Sequence, residues 1–307
     1  MTAATLELEQ DYDVRPRSLT RVGIHRFVRR PGAVAALAVL LAIFLVGLLA
    51  PELGRGWDII DLKNIKSPPS SAHIFGTDSI GRDVFKRTIY GVRTTEEIAL
   101  GGAALATLLG VVFGALAGWY GGWLDATSMR LADLVTAYPA VIFTLAAFVY
   151  LSPVYPHTLI FIFAAFMWAM VARVVRTEFV RLREQEFIEA ARALGAGDLR
   201  ILFRHLLPNA AGQILVAATS AIGLIVLVDA TVEFFGYGVP AEVAPSLGNL
   251  VSDTVKFQFG LGSAFDIAIQ NYGWWDWFFP GLVLVAILVC VNLVGDALDE
   301  SLNPRRS

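Results

Sequence analysis

Residues 184–209 read EQEFIEAARALGAGDLRILFRHLLPN, the one long polar, helix-forming segment set between apolar runs. Phe187, Ala191 and Leu194 stand at i, i+4 and i+7 with Ile188 beside them, so a short helix here carries an apolar stripe. Glu186, Glu189 and Arg192 take the other side. Gly195 follows the last periodic residue, where helices commonly end in a left-handed turn that glycine adopts at least cost. Asp198 is placed to cap a second helix, in which Leu199, Leu202, Phe203 and Leu206 repeat the apolar spacing. Pro208 removes a backbone donor and is expected to help end that helix. The unit is helix, glycine turn, helix. Pattern alone leaves two readings open: a hairpin lying on a bilayer, or a two-sided element that meets a partner.

The surrounding composition decides the setting. The chain has 307 residues, 56% of them hydrophobic and 17% charged, with mean hydropathy +0.62. A soluble domain of this size is seldom so apolar, and a polytopic membrane protein accounts for the balance. The net charge of −3 says little, because in a membrane protein the placement of charge matters more than its sum. Cys290 is the single cysteine, so no disulfide framework exists, and a small buried hydrophobe is its plain reading. His25, His73, His157 and His205 have no ligand-like spacing, and no metal site is expected.

Residues 33–50 run without a charge, enough to cross a hydrocarbon core about 30 Å thick. The polar lead of 1–32 is long for a signal peptide and no small-residue cleavage site follows, so this is read as a first span. Residues 51–97 form a polar connection in which Ile80, Val84, Thr88 and Val92 mark a short amphipathic helix. The second span is expected over 98–120. In it Gly102, Ala106, Gly110, Gly114 and Gly118 recur every four residues. Lipid gives helices no hydrophobic drive to associate, and such a face lets two backbones approach closely, so helix packing is its expected role. A turn over 121–130 leads to a third span, 131–151, with Pro139 inside it. A tight connection at 152–157 precedes the fourth span, 158–175. The fifth covers 210–235, followed by a long polar connection, 236–275. The sixth, 277–295, comes after the interfacial cluster Trp274, Trp275 and Trp277.

Six spans with the N-terminus inside put 1–32, 121–130, 176–209 and 296–307 on the inner face. Counting Arg173 with them, sixteen lysines and arginines lie inside against eight outside. That bias follows the positive-inside rule. Seven of the outer eight fall in 51–97, interleaved with Asp78, Asp83, Glu96 and Glu97. The 184–209 unit falls inside, within reach of a cytosolic partner.

Catalytic chemistry is not written here. No stretch matches the glycine-rich loop GxxxxGK[ST] that cradles nucleotide phosphates, so any ATP must bind another polypeptide. An ion-coupled carrier needs ionisable groups within the membrane. Asp133, Asp229 and Glu233 stand near span ends and are read as interfacial residues. A carrier of that kind and a membrane scaffold remain the rival classes.

Glu189-Ala190-Ala191, Gly195 and Leu207-Pro208 resemble the EAA loop of ABC importer permeases, which in that family docks on the ATPase subunit. His205 stands where the general pattern has isoleucine, and RHLLPN is close to the RHILPN ending of the peptide branch. HIFGTDSIGRDVFKRTIYGVR, EFFGYGVP with APSLGNL, and NLVGDALDESLNP resemble the dipeptide/oligopeptide/nickel branch in the same order. The resemblance covers about residues 20–305. It implies an all-α, six-helix permease of the type I importer kind in the inner cell membrane, with both termini cytoplasmic. Residues 1–32 would be the N-terminal segment and 33–307 the permease domain. It implies no enzyme activity and no cofactor in this chain, with ATP and Mg held by two partner ATPase subunits. A homologous second permease, an extracytoplasmic substrate-binding protein and the bilayer are the other implied partners, with no nucleic acid. Peptides are the expected cargo, and nickel chelates, opines and oligosaccharides are carried elsewhere in the branch. KFQFGLGSAFDIAIQNYG lengthens the outer connection over 249–275, so receptor docking there is expected to be atypical.

Overall fold

The computed structural model describes residues 25–151, 155–252 and 273–302. Most of 1–32 and the added sequence of the outer connection lie outside the described residues, as do parts of the 152–157 connection and the last residues of the chain. Among the described residues the secondary structure is helical, apart from one isolated bridge between Thr77 and Asp83.

The chain enters through α1 (Pro31–Leu48) and a single turn, α2 (Ala50–Leu53). It then folds over 54–83 into an irregular cap before α3 (Val84–Tyr120). Here the expected short helix and second span prove to be one rod of 37 residues, about 55 Å long. Nothing between Val84 and Ile98 breaks it, and Asp83 caps it by accepting the Lys86 amide at 3.0 Å. A rod that long exceeds the hydrocarbon thickness and must project beyond it.

The third span departs most from expectation. The segment 121–130 is not a turn, since α4 (Gly122–Thr136) starts at once, and α5 (Ala140–Leu151) follows at a bend of 79°. Pro139 explains the break: it lacks an amide proton and its ring forces Tyr138 out of helical geometry. α6 (Pro156–Arg183) then runs eight residues past the expected end of the fourth span.

The glycine contacts fix the direction of these rods. Gly102 lies against Phe163, Gly110 against Val171, Gly114 against Ala172 and Val175, and Gly118 against Phe179. Both sets of numbers rise together, so α3 and α6 run parallel. The chain between them must therefore return across the layer, and the bent α4–α5 pair is that crossing. With it, the five long apolar helices become six spans among the described residues.

After α6 come α7 (Glu186–Ala193) and α8 (Asp198–Ile201), then a π-helical turn over Leu202–Leu206, then α9 (Leu207–Phe234). Pro208 does not end a helix here. It occupies the first turn of α9, where a missing amide costs little, and the wide turn before it carries the chain through, the Leu207 amide bonding to the Leu202 carbonyl. The second helix of the 184–209 unit is thus the root of the fifth span. α9 ends at Gly236 (φ 91°), and α10 (Trp275–Leu302) closes the fold antiparallel to α9, with Gly223 against Val291 and Gly212 against Leu302.

α3, α6, α9 and α10 form the core around Ile98, Phe163, Met167, Ile225 and Ile287, all buried. α1 leans on α10 through Ala36, Cys290 and Val294, and Arg30 pairs with Glu300. Both ends of the described chain, together with α7 and α8, lie on one side of the bundle.

Candidate functional site: the α7–α8 platform

α7 is eight residues long, and its stop signal is complete. Gly195 takes φ +80°, its amide bonds to Arg192 O at 2.9 Å, and the next amide, of Ala196, reaches Ala191 O at 3.0 Å. These two bonds make the glycine-terminated cap in which the chain reverses sharply. A Cβ on Gly195 would meet nothing within 4 Å, so only the backbone angle calls for glycine there.

The unit sits on the bundle by part of the expected apolar set. Ile188, Ile201 and Leu206 are wholly buried, packed with Trp119, Phe179 and Leu182, and Ala191 joins them from the edge. Phe187, Leu194, Leu199 and Phe203 point outward, with 41%, 88%, 67% and 67% of their surface exposed. The spacing identified the apolar residues but left open which of them face the bundle; Ile188, Ala191, Leu202 and Leu206 do. A short helix with apolar residues on two sides gives that pattern no single answer. Glu189 and Ala190 are exposed, Ala191 half-buried, Leu207 half-buried and Pro208 exposed. Ala190 therefore stands on the outer surface beside the apolar four, while Ala191 is turned inward.

Two contacts hold the end of α3, one from α7 and one from the last residue of α6. The Arg192 guanidinium lies 4.7 Å from the Trp119 ring centre, and Arg183 Nη1 donates to the Trp119 carbonyl at 3.1 Å. Behind them, Arg176 on α6 holds Asp125 on α4 in a two-point pair, one contact being 2.7 Å, and Arg173 bonds Asp133 at 2.8 Å and Thr136 at 2.7 Å. Asp133, expected at the interface, is exposed and paired in this way. Sequence alone did not single out Trp119; its place at the end of an apolar run, just before Gly121-Gly122, was the available signal.

The opposite side carries the sequence strings of the cap. Asp78 is buried and accepts from Arg82 at 2.6 Å and from the buried Arg87 at 2.5 Å. The Trp275 indole donates to Thr77 O at 3.2 Å and Phe75 stacks on Phe279 at 4.0 Å, joining the cap to α10. Glu233, at the end of α9, is buried: its carboxylate accepts the Ser246 hydroxyl at 2.6 Å, tethering the 236–252 segment to α9. Asp229, one turn earlier on the same face, is buried as well. The Leu247 amide completes the seat by donating to Thr95 on α3 at 3.1 Å. Among the described residues no group of acids, histidines or cysteine is arranged to hold a metal ion.

Residues 110–307 match the family model described as binding-protein-dependent transport system inner membrane component. The chain belongs to this family. The oligopeptide transport system permease protein OppC of Bacillus subtilis (strain 168) is 35% identical over 289 residues, covering 94% of this chain and 90% of that protein. A putative peptide permease protein of Brucella suis is 36% identical over 282 residues, 92% of this chain and 89% of its own. OppC of Mycobacterium tuberculosis is 34% identical, covering 92% and 93%. Among solved structures, an inward-facing form of the MetNI methionine ABC transporter superposes with TM-score 0.53 over 71% of this chain and 97% of its own, at 18% identity, a likeness of fold. This is a multi-pass inner-membrane ABC permease subunit, a transport component rather than an enzyme.

Proposed function

We propose that this chain forms one half of the translocation pathway of an ATP-driven peptide importer, and that the α7–α8 platform is where an ATPase subunit docks. The exposed apolar group Phe187, Leu194, Leu199 and Phe203 carries the reading. It stands on a seat of fully buried side chains, and large apolar side chains left exposed on a packed support mark a surface made to be covered. The bias of lysine and arginine supports a cytoplasmic platform and cytoplasmic termini. A second, homologous permease, a second ATPase subunit and an external binding protein complete the assembly. The named relatives of Bacillus and Mycobacterium support peptides over nickel chelates or oligosaccharides as cargo.

Replacing Leu194 by Glu buries a charge in the docked state, and the cost of an unpaired buried charge is several kcal/mol. The variant is expected to insert normally, to lose ATPase co-purification and to lose uptake of labelled peptide. A hairpin resting on lipid would instead keep the ATPase, and retained co-purification with Leu194→Glu and with Phe203→Asp would end the docking assignment. Cargo is read separately. Cells dependent on the complex should accumulate labelled oligopeptides, and accumulation of nickel or oligosaccharide alone would reassign it within the branch.

A further inference from the structure

At the Gly47 end of α1 a groove separates that helix from α3. Its deep part is a cavity of about 250 Å³ reaching Leu40 on α1 and Val291 on α10. Its mouth is a second space of about 390 Å³, sharing Phe44, Glu96 and Leu100 with the first. The mouth is lined from α3 by Arg93, Glu96 and Glu97 and from α1 by Phe44, Gly47 and Leu48. Each trio follows i, i+3, i+4, so two helical faces meet edge to edge across the opening. Gly47 makes the room: a Cβ there would collide with Glu96 Oε2. The flanks are apolar and open, Leu41 and Leu48 being 59% and 65% exposed.

The side chains of Arg93, Glu96 and Glu97 make no hydrogen bond or ion pair with one another or with any other described residue. Ionisable groups at the border of a hydrocarbon layer are costly unless a counter-charge meets them. A guanidinium and two carboxyl groups at the mouth of an apolar channel form the complement of one molecular class: a phosphate, an ammonium and an acyl chain joined together. We infer that the groove binds an aminophospholipid. Its phosphate meets Arg93, its ammonium meets Glu96 and Glu97, and one acyl chain enters the channel between Phe44 and Val291. A lipid without an ammonium would leave both carboxyl groups without a cationic donor, so phosphatidylethanolamine is preferred over phosphatidylglycerol. The inference is independent of which face is cytoplasmic and of what docks on the α7–α8 platform.

The test uses the complete transporter, extracted in a mild detergent and analysed by native mass spectrometry after exchange into equal amounts of the two lipids. Wild type should retain phosphatidylethanolamine over phosphatidylglycerol by about fivefold, the worth of one charge contact near a membrane surface. Glu96→Gln with Glu97→Gln should erase the preference, and Arg93→Gln should lower retention of both lipids. Glu52→Gln, outside the groove lining, should behave as wild type. Equal retention by wild type, or an unchanged preference in the double variant, overturns the assignment. A photoreactive side chain at Phe44 should capture lipid, and capture of the second permease would give the groove to a protein helix instead.

Discussion

Gly114 is hemmed in by α6: a Cβ would stand 2.5 Å from the Ala172 carbonyl oxygen and 2.8 Å from Val175 Cβ. Neither atom is the free end of a flexible side chain, so leucine there must push two backbones apart. Gly114→Leu is expected to cost about 1–3 kcal/mol by overpacking and to impair assembly of the complex, read as loss of the second permease on co-purification. Normal assembly with an altered cargo preference would make this face a pathway wall rather than a packing seam. Gly195 is constrained differently, by backbone angle with open space around it. Gly195→Val should cost about 1–2 kcal/mol and loosen the end of α7 while insertion proceeds normally. Wild-type ATPase association and uptake in that variant would mean the reversal tolerates another geometry.

Between platform and bundle, α7 bears on α3 through Arg192 and Trp119, and under the proposed docking this contact is where displacement would pass. A cation over an indole face contributes about 0.5–2 kcal/mol, enough to bias two arrangements without welding them. Arg192→Met should keep the ATPase bound and hydrolysing while uptake per ATP falls, and Arg192→Lys should restore most of it. If both variants lose the ATPase equally, Arg192 belongs to the docking surface and not to transmission. These elements were unevenly legible in the sequence. The glycine ladder, the Gly195 reversal and the apolar runs were readable because each follows from one local rule. Where Val84 joins Ile98 in one rod, and where Leu206 passes through Pro208 into α9, polar composition suggested boundaries that helical hydrogen bonding overrides. That Ile188 and not Phe187 turns inward was unreadable, since it depends on Trp119, far away in the chain.

For the molecule as a whole, the parallel run of α3 and α6 makes six crossings and leaves both ends on the platform side. Cysteines placed at Ser70 and Glu242, both exposed, in a Cys290→Ala background should react with an impermeant thiol reagent from outside the cell, and one at Glu184 should not. Reaction at Glu184 in intact cells would invert the orientation. Ser246 is unsuitable as an outer marker because the structure buries it against Glu233. The six-span outline was visible in hydropathy, but the bend at Pro139 was not: a proline in an apolar run is compatible with a kink or with a break.

The glycine seam also sets a timetable for biogenesis. Gly110 meets Val171, roughly sixty residues later in the chain. At about 5–20 residues per second, α3 waits some 3–12 seconds on the ribosome before α6 can cover it. Throughout that interval its small-residue face is open to any other helix in the membrane, including a second nascent α3. A chain arrested before Val171 would present that face permanently, so truncated products are the form of this protein most prone to mispair.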